Sequence, residues 1–331
     1  MIRKYKKILI IGGGAISINH HLPRILNFLG GQSICIYEVE VARREKLELL
    51  FKQNKKILIL NDLPAEGVFD LVLIATPPKF HYDYYCALEN RADIFLIEKP
   101  MALNADQAHA IMESSNKNNK KVFIHHIRRS LGSYNLIQQF YTKKYFGELK
   151  RVVVNEGGVF NWQAVSLGSF SKDLNGGGVL MDTGPHTLDL LFQVFDEMSL
   201  KSAFMDGVGN AIEANCMLDF VADASIPVTV SLSRNRFLSN TAVFEFSNAI
   251  CTVGVRDNEI SIETSNGISY AAYPSILNGA EKITFSQLID AFYHNFIIPC
   301  DNTGVGPTES LKIHRLIDSA YRNAQLIEGG F

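Results

Sequence analysis

The sequence has little of what marks several broad classes of protein. It offers no continuous apolar run of about 18 residues, so no membrane span is expected. The opening MIRKYKK followed by ILIIGGGAISI imitates the basic and apolar parts of a secretory leader. No small-residue cleavage site follows, however, and Asn19, His20 and His21 end the run. Cysteines number five in 331 residues, at positions 35, 86, 216, 251 and 300. They are odd in number and never spaced as C-x-x-C, which argues against a disulfide framework and against a zinc site, so no metal is expected. A formal net charge of -2 leaves no electrostatic footprint for nucleic acid or for an anionic membrane. Internal repeats, low-complexity tracts and long linkers are also missing. These absences leave a soluble, cytoplasmic chain whose partners are small molecules.

What is present is ordinary globular material, 47% hydrophobic and 20% charged, in a chain long enough for two cores. Lys7 to Ile11 form an apolar run that passes directly into Gly12-Gly13-Gly14-Ala15-Ile16-Ser17, the pattern of a buried parallel strand entering a tight turn. In this G-x-G-x-x-S, Gly12 permits the turn, and Gly14 lets a pyrophosphate approach the amides of a helix N-terminus. Ser17 stands where a third glycine is commoner. A second strand over Ser33 to Tyr37 ends at Glu38, about twenty residues on, where an acid accepts hydrogen bonds from ribose hydroxyls and repels a 2′-phosphate. NAD is therefore expected over NADP. Arg43 and Arg44 read as part of a solvated helical face.

Further strands at Lys56 to Leu60, Asp70 to Ala75 and Ile94 to Ile97 alternate with helical stretches, which implies a doubly wound parallel sheet with its ligand beyond the carboxyl ends of the strands. Thr76-Pro77-Pro78 and Glu98-Lys99-Pro100 fall at such ends. Proline holds the preceding residue extended, so Thr76 and Lys99 are kept out of the following helices. Lys99 becomes a positioned cation.

The stretch Gly176 to Leu191, GGGVLMDTGPHTLDLL, sets two proton-handling side chains in a glycine-rich helix entrance. A helix opening near Pro185 places His186 in its first turn, Asp182 just upstream and Asp189 three residues on. A carboxylate beside an imidazole fixes its tautomer and raises its basicity, as a general base requires. The same two residues also read as a helix cap and a structural histidine.

Four motifs in this order, IIGGGAI, DLVLIATPPKFHYDYYCALE, EKP and GGGVLMDTGPHTLDLL, resemble the glucose-fructose oxidoreductase, inositol dehydrogenase and MocA family, Gfo/Idh/MocA. The resemblance runs over nearly the whole chain. It implies Lys99, Asp182 and His186 as the catalytic set. It also implies cofactor contacts from Gly12, Gly14, Ala15, Ile16, Glu38, Thr76, Pro77, His81, Glu98 and Lys99, and a sugar, cyclic polyol or nucleotide-linked sugar as substrate. Ser17 departs from the commonest glycine pattern and puts only cofactor affinity in question.

After Val122 to His125 the alternation breaks, giving an expected division into an NAD-binding domain, 1–125, and a substrate-binding and oligomerisation domain, 126–331. The resemblance implies an arginine close to the active-site entrance in the basic stretch with Arg128 and Arg129, so Arg129 is expected as a substrate contact; the same stretch reads equally as a basic capping turn on a solvated helix. Trp162, the only tryptophan, suits stacking on a sugar as well as core packing. Strands from Lys201 to Glu263 alternate in a mostly antiparallel open sheet, with apolar residues expected on both faces and a homodimer or homotetramer as the consequence. Helices are expected near Thr284 to Phe296 and Thr308 to Gln325. The expected fold class is an α/β Rossmann-type domain followed by an α+β domain. The expected activity is NAD-dependent hydride transfer to or from a secondary hydroxyl, with two rivals: an NAD-retaining epimerase, lyase or glycosidase without net redox, and a non-catalytic sugar-sensing protein.

Overall fold

In a computed structural model, residues 5–159, 171–209, 211–274 and 282–327 are described. They form two compact units. The first holds residues 5–125, 171–176 and 292–311; the second holds 126–159, 177–209, 211–274, 282–291 and 312–327. The chain thus first leaves the first unit after His125, as its alternation suggests, but two later segments that the sequence reading placed in the second domain complete the first.

The first unit is built on a six-stranded sheet of β1 (Lys7–Ile11), β2 (Ser33–Tyr37), β3 (Ile57–Leu60), β4 (Leu71–Ile74), β5 (Ile94–Ile97) and β6 (Lys121–Ile124). The spatial order is β3-β2-β1-β4-β5-β6 and every pairing is parallel. The expected doubly wound sheet is therefore the one observed. β4 and β5 are buried at every residue, because helices cover both faces of a parallel sheet, and their unbroken apolar sequences follow from that. Each fully buried Leu, Ile or Val contributes about 1.5–3 kcal/mol, so these strands hold the frame from which the loops at their carboxyl ends project.

The second unit is built on a nine-stranded sheet of β7 (Leu149–Gly157), β8 (Met198–Met205), β9 (Asn215–Ala222), β10 (Ile226–Ser233), β11 (Thr241–Phe246), β12 (Ala249–Gly254), β13 (Ile260–Thr264), β14 (Ser269–Ala272) and β15 (Ala324–Leu326), in the order β14-β13-β12-β11-β7-β10-β9-β8-β15. All neighbours are antiparallel except β7 with β10 and β8 with β15. The last expected helix is shorter than its pattern suggests: it runs over Pro307–Arg322, and the chain then extends as β15.

Alternation along these strands gives the sheet two unlike faces. Val228, Val230, Leu232, Leu218, Phe220, Ala242 and Phe244 are buried on one, which packs on the helices Gly132–Thr142 and Val179–Asp182. The other face is partly open and mixed, not apolar as expected. Asp219 accepts hydrogen bonds there from Ser202 and Thr229, and Arg151 pairs with Glu245, while Val153 and Val243 sit side by side. No helix among the described residues is long and apolar enough to cross a membrane. All five cysteines are free thiols.

Candidate active site

The first unit carries the nucleotide-binding features at the ends of its central strands. Gly12 has φ +96°, and a Cβ there would meet the carbonyl oxygen of Ala75 at 2.6 Å, so neither the backbone nor the space admits another residue. The Gly12 turn is thus pressed against the end of β4, with the Thr76 methyl beside it. Gly14, by contrast, faces open space, with nothing within 4 Å of a Cβ position. Ala15 and Ile16 lead into a first helical stretch that is π-helical over Ile16–His21, and Ser17 is fully buried within it. Single π-turns of this kind gather at functional sites.

Glu38 is buried, and its carboxylate is already anchored. The backbone N–H of Gly13 donates to Oε2 at 2.8 Å and that of Glu40 to Oε1 at 2.8 Å. Arg43 Nη1 donates to Oε2 at 3.0 Å and pairs with Glu40 as well, while Arg44 Nη1 reaches the Glu38 carbonyl at 3.2 Å. The two arginines are therefore not a solvated face but fold back onto the acid that ends β2. A dinucleotide fits this arrangement: the open flank at Gly14, the fixed carboxylate of Glu38 and the Thr76 hydroxyl, whose oxygen is buried with no hydrogen-bond partner among the described residues, lie at adjoining strand ends.

Two expected cofactor contacts turn out to stand behind that surface. His81 is fully buried, with Nδ1 2.9 Å from the Pro100 carbonyl and Nε2 2.7 Å from the Thr76 carbonyl. It ties together the turns after β4 and β5, and both its nitrogens are occupied in doing so. Burial lowers its pKa, against the two carbonyls that each favour an N–H. Glu98 is likewise buried and spends its carboxylate on His21, His125 and the backbone N–H of Lys99. Lys99 itself is partly exposed, and Pro77 precedes a short helix at Pro78–Phe80.

The second unit carries Asp182 and His186, the expected acid–base pair, on two short helices rather than one. Val179–Asp182 ends at Asp182, and Gly184–Leu191 begins two residues later with Pro185 in its first turn and His186 next to it. The glycine entrance is needed because buried Glu213 occupies the space beside it. A Cβ on Gly178 would lie 2.0 Å from the Glu213 carbonyl oxygen, and the Glu213 carboxylate accepts the N–H groups of Gly178 and Leu180 and the Tyr321 hydroxyl. Asp182 has a partner that no motif announced: Arg234, just past β10, approaches its carboxylate to 3.7 Å. A guanidinium there offsets part of the negative charge of Asp182.

The helix that bears His186 is pinned by two residues that follow it. Thr187 Oγ1 donates to buried Glu156 at 2.7 Å, and Asp189 accepts from Arg129 Nε at 2.9 and 3.0 Å. Arg129, expected as a substrate contact, directs its guanidinium to Asp189 on the helix that bears His186. Glu156 also accepts a bidentate pair from Arg128 at 2.7 and 2.8 Å and a bond from Arg256 at 2.9 Å. Burial alone would raise its pKa, but Arg128 and then Arg256 outweigh burial and hold it at about 2. Trp162 lies outside the described residues.

These features define a doubly wound, NAD-binding type of domain joined to an open-sheet domain that carries a D-x-x-x-H pair. Residues 6–126 match the sequence model of the oxidoreductase family with an NAD-binding Rossmann fold, Gfo/Idh/MocA. Among curated relatives it is 30% identical to an oxidoreductase of Formosa agariphila over 44% of this chain and 45% of that one. It is 32% identical to the D-glucoside 3-dehydrogenase of Escherichia coli over 40% of this chain and 38% of that one. Each match thus spans less than half of the relative's length. The solved levoglucosan dehydrogenase, in complex with NADH and levoglucosan, superposes with TM-score 0.79 at 14% identity, covering 96% of this chain and 97% of that one, which shows a shared fold.

Proposed function

We propose that the protein is an NAD-dependent oxidoreductase that moves a hydride between nicotinamide and a secondary hydroxyl or ketone of a sugar-like substrate, a sugar, a cyclic polyol or a nucleotide-linked sugar. The observation that carries this reading is Lys99, a partly exposed cation held at the end of β5 in the same sheet whose β1 and β2 ends carry the glycine turn and Glu38. The sugar class rests on relatives named as sugar dehydrogenases.

NAD, when bound, supplies the hydride acceptor or donor. Gly12, Gly14, Ala15 and Ile16 would hold its pyrophosphate, Glu38 its ribose, and Thr76 and Pro77 the far side of the turn. His186 takes the hydroxyl proton of the substrate, Asp182 supports the imidazolium so formed, and Lys99 steadies the negative charge that develops on the substrate oxygen. In the reverse direction the same groups protonate a ketone. The first domain serves the cofactor. The second serves the substrate and, through the partly open face of its sheet around Val153 and Val243, association with a second copy.

The test is a screen of sugars, inositols and nucleotide sugars against the purified protein with NAD, following reduced cofactor. Lasting formation of NADH with one of them supports the reading. Turnover of a sugar with catalytic NAD and no net reduction would replace it with the NAD-retaining class, and binding without any turnover would replace it with a sensor.

A further inference from the structure

Four buried side chains of the first unit meet behind Lys99, and the chemistry proposed above uses none of them directly. Tyr293 Oη lies 2.8 Å from His21 Nδ1, His21 Nε2 lies 2.8 Å from Glu98 Oε1, and His125 Nδ1 lies 2.7 Å from that same oxygen. Hydrogen-bond chemistry fixes the direction of each contact. Burial, then the charge of Glu98, pushes Tyr293 well above the usual phenol range, so its hydroxyl is neutral and donates to His21 Nδ1. His21 then carries its proton on Nε2 and gives it to Glu98. An ionised carboxylate only accepts, so His125 carries its proton on Nδ1. Its Nε2 is left bare, and that atom is buried with no hydrogen-bond partner among the described residues. The His125 ring stands edge-on to Phe292, with ring centres 4.9 Å apart.

Burial, then the proximity of His125, lowers His21 to about 4, which keeps the ring neutral near pH 7. Burial would raise Glu98, but His125 and His21 outweigh it and hold the carboxyl well below the usual range. Three of these groups offer ligand atoms within 4.8 Å of one another, a spacing that a metal ion also asks for. Two of the separations, however, are direct hydrogen-bond lengths of 2.7 and 2.8 Å, whereas ligands of a tetrahedral zinc stand roughly 3.3 Å apart. The arrangement is a hydrogen-bond network.

Its outlet is Lys99. Glu98 Oε2 accepts the Lys99 backbone N–H at 3.1 Å, and the next carbonyl along, that of Pro100, faces His81 Nδ1 at 2.9 Å. The peptide unit before the lysine and the one after Pro100 are thereby tied to buried side chains. We propose that His21 and His125 are positioning residues for Lys99, acting through Glu98 to fix the turn from which its ammonium reaches the reacting oxygen. This rests on the role given to Lys99 above.

The experiment compares substitutions that cut the network with substitutions that keep its donors. His21→Leu and His125→Leu remove the N–H groups. His21→Gln retains one in place of Nε2, and His125→Asn retains one in place of Nδ1. The full chain is reductively methylated with 13C, the Lys99 resonance is assigned by its loss in Lys99→Arg, and its titration is followed with NADH bound. The leucine variants should move the Lys99 titration midpoint by about half a unit or more, the Gln and Asn variants should restore it, and NADH affinity should stay within about threefold throughout. An unmoved Lys99 signal in folded leucine variants overturns the proposal. So does one equivalent of zinc bound by the wild type and lost in His21→Leu. Should the leucine variants not fold, Tyr293→Phe, which deletes one oxygen, takes their place with the same two outcomes. Lys99→Ala separates the two claims: full turnover in that variant removes the catalytic role of Lys99 while the leucine variants still displace its signal.

Discussion

Glu98 and Glu156 are both buried carboxylates, one in each unit, and each holds the backbone or side chain next to a proposed site residue. Glu98 is bonded to the Lys99 N–H, and Glu156 to Thr187, which follows His186. Their partners differ in kind. Glu98 is satisfied by two imidazoles and an amide, Glu156 by two guanidiniums and a hydroxyl. Guanidinium keeps its charge at every pH a protein survives, while an ordinary imidazole changes charge near pH 6.5 and burial, then His125, moves His21 down to about 4. One proposed site residue is therefore held by permanent charges and the other by a network that includes a titrating ring, His21.

The largest expected effect comes from breaking the permanent pair. Glu156→Gln leaves Arg128 buried without its counter-charge and costs about 3–5 kcal/mol of stability, read by urea unfolding. A loss under 1 kcal/mol would mean that water or Asp182 replaces the carboxylate, and the contrast between the two glutamates would fall.

A slightly smaller effect is expected from acid. The folded-state value of His21 is about 4 against an ordinary 6.5, so between these pH values the unfolded chain binds the extra proton and the folded one does not. Stability conferred by the neutral ring is complete above pH 6.5, falls as pH drops towards 4, and is then down by roughly 3 kcal/mol. The carboxyl of Glu98, also depressed, adds its own loss at still lower pH. His125, Glu98 and His20 act on this ring: His125 and His20 oppose its protonation, His125 also by competing for the same oxygen, and Glu98 favours it. Thermal melting of the wild type and His21→Gln from pH 7 to 4 measures it. The slope between 6.5 and 4 should shrink in the variant, and an equal slope in both would assign the acid sensitivity elsewhere.

Next comes chemistry. His186→Ala should lower turnover roughly a hundredfold with NAD affinity nearly unchanged, because it removes the proton acceptor and no cofactor contact. The acidic limb of the rate profile should disappear with it. Near-normal turnover with the limb intact would make the stretch from Gly176 to Leu191 a structural element, and the comparison would then concern two purely structural carboxylates.

The frame of both halves was legible in the sequence, and the networks behind them were not. β1, β4 and β5 announce themselves because a parallel strand covered on both faces is an unbroken apolar run, and β9 to β12 because one buried face imposes a period of two. β14 is exposed at all four residues, so it carries no such period, and β15 follows a strong helical pattern that masks it. Lys99, Asp182 and His186 were legible through local motifs. His21, His125, Glu156, Glu213 and Arg234 were not, since each acquires its meaning from a partner far along the chain: His21 lies 77 residues from Glu98, and His125 lies 27. A histidine after an apolar run or a glutamate near a strand end gives no sign of which distant group it meets. Arg43 and Arg44 were misread for a related reason, because a charge in a helical stretch can equally point outwards or curl back over the preceding strand end.

That misreading leads to the mildest test, on a third buried carboxylate. Glu38 combines backbone and guanidinium donors, with the Gly13 N–H and Arg43 sharing Oε2 and the Glu40 N–H on Oε1. A carboxylate facing the adenosine ribose accepts its hydroxyls and repels a 2′-phosphate, so NAD should bind more tightly than NADP. Arg43 offsets that repulsion, because it already lies 3.0 Å from Glu38 and can also bond a phosphate. Arg43→Ala should therefore leave NADH affinity within about threefold and weaken NADPH by about tenfold, widening the preference by an amount close to 1.4 kcal/mol. Glu38→Gln should narrow it from the other side. Fluorescence titration with NADH and NADPH reads both. If Arg43→Ala leaves the ratio of the two affinities unchanged, Arg43 serves only to hold Glu38 and Glu40 together, and selectivity belongs to the carboxylate alone.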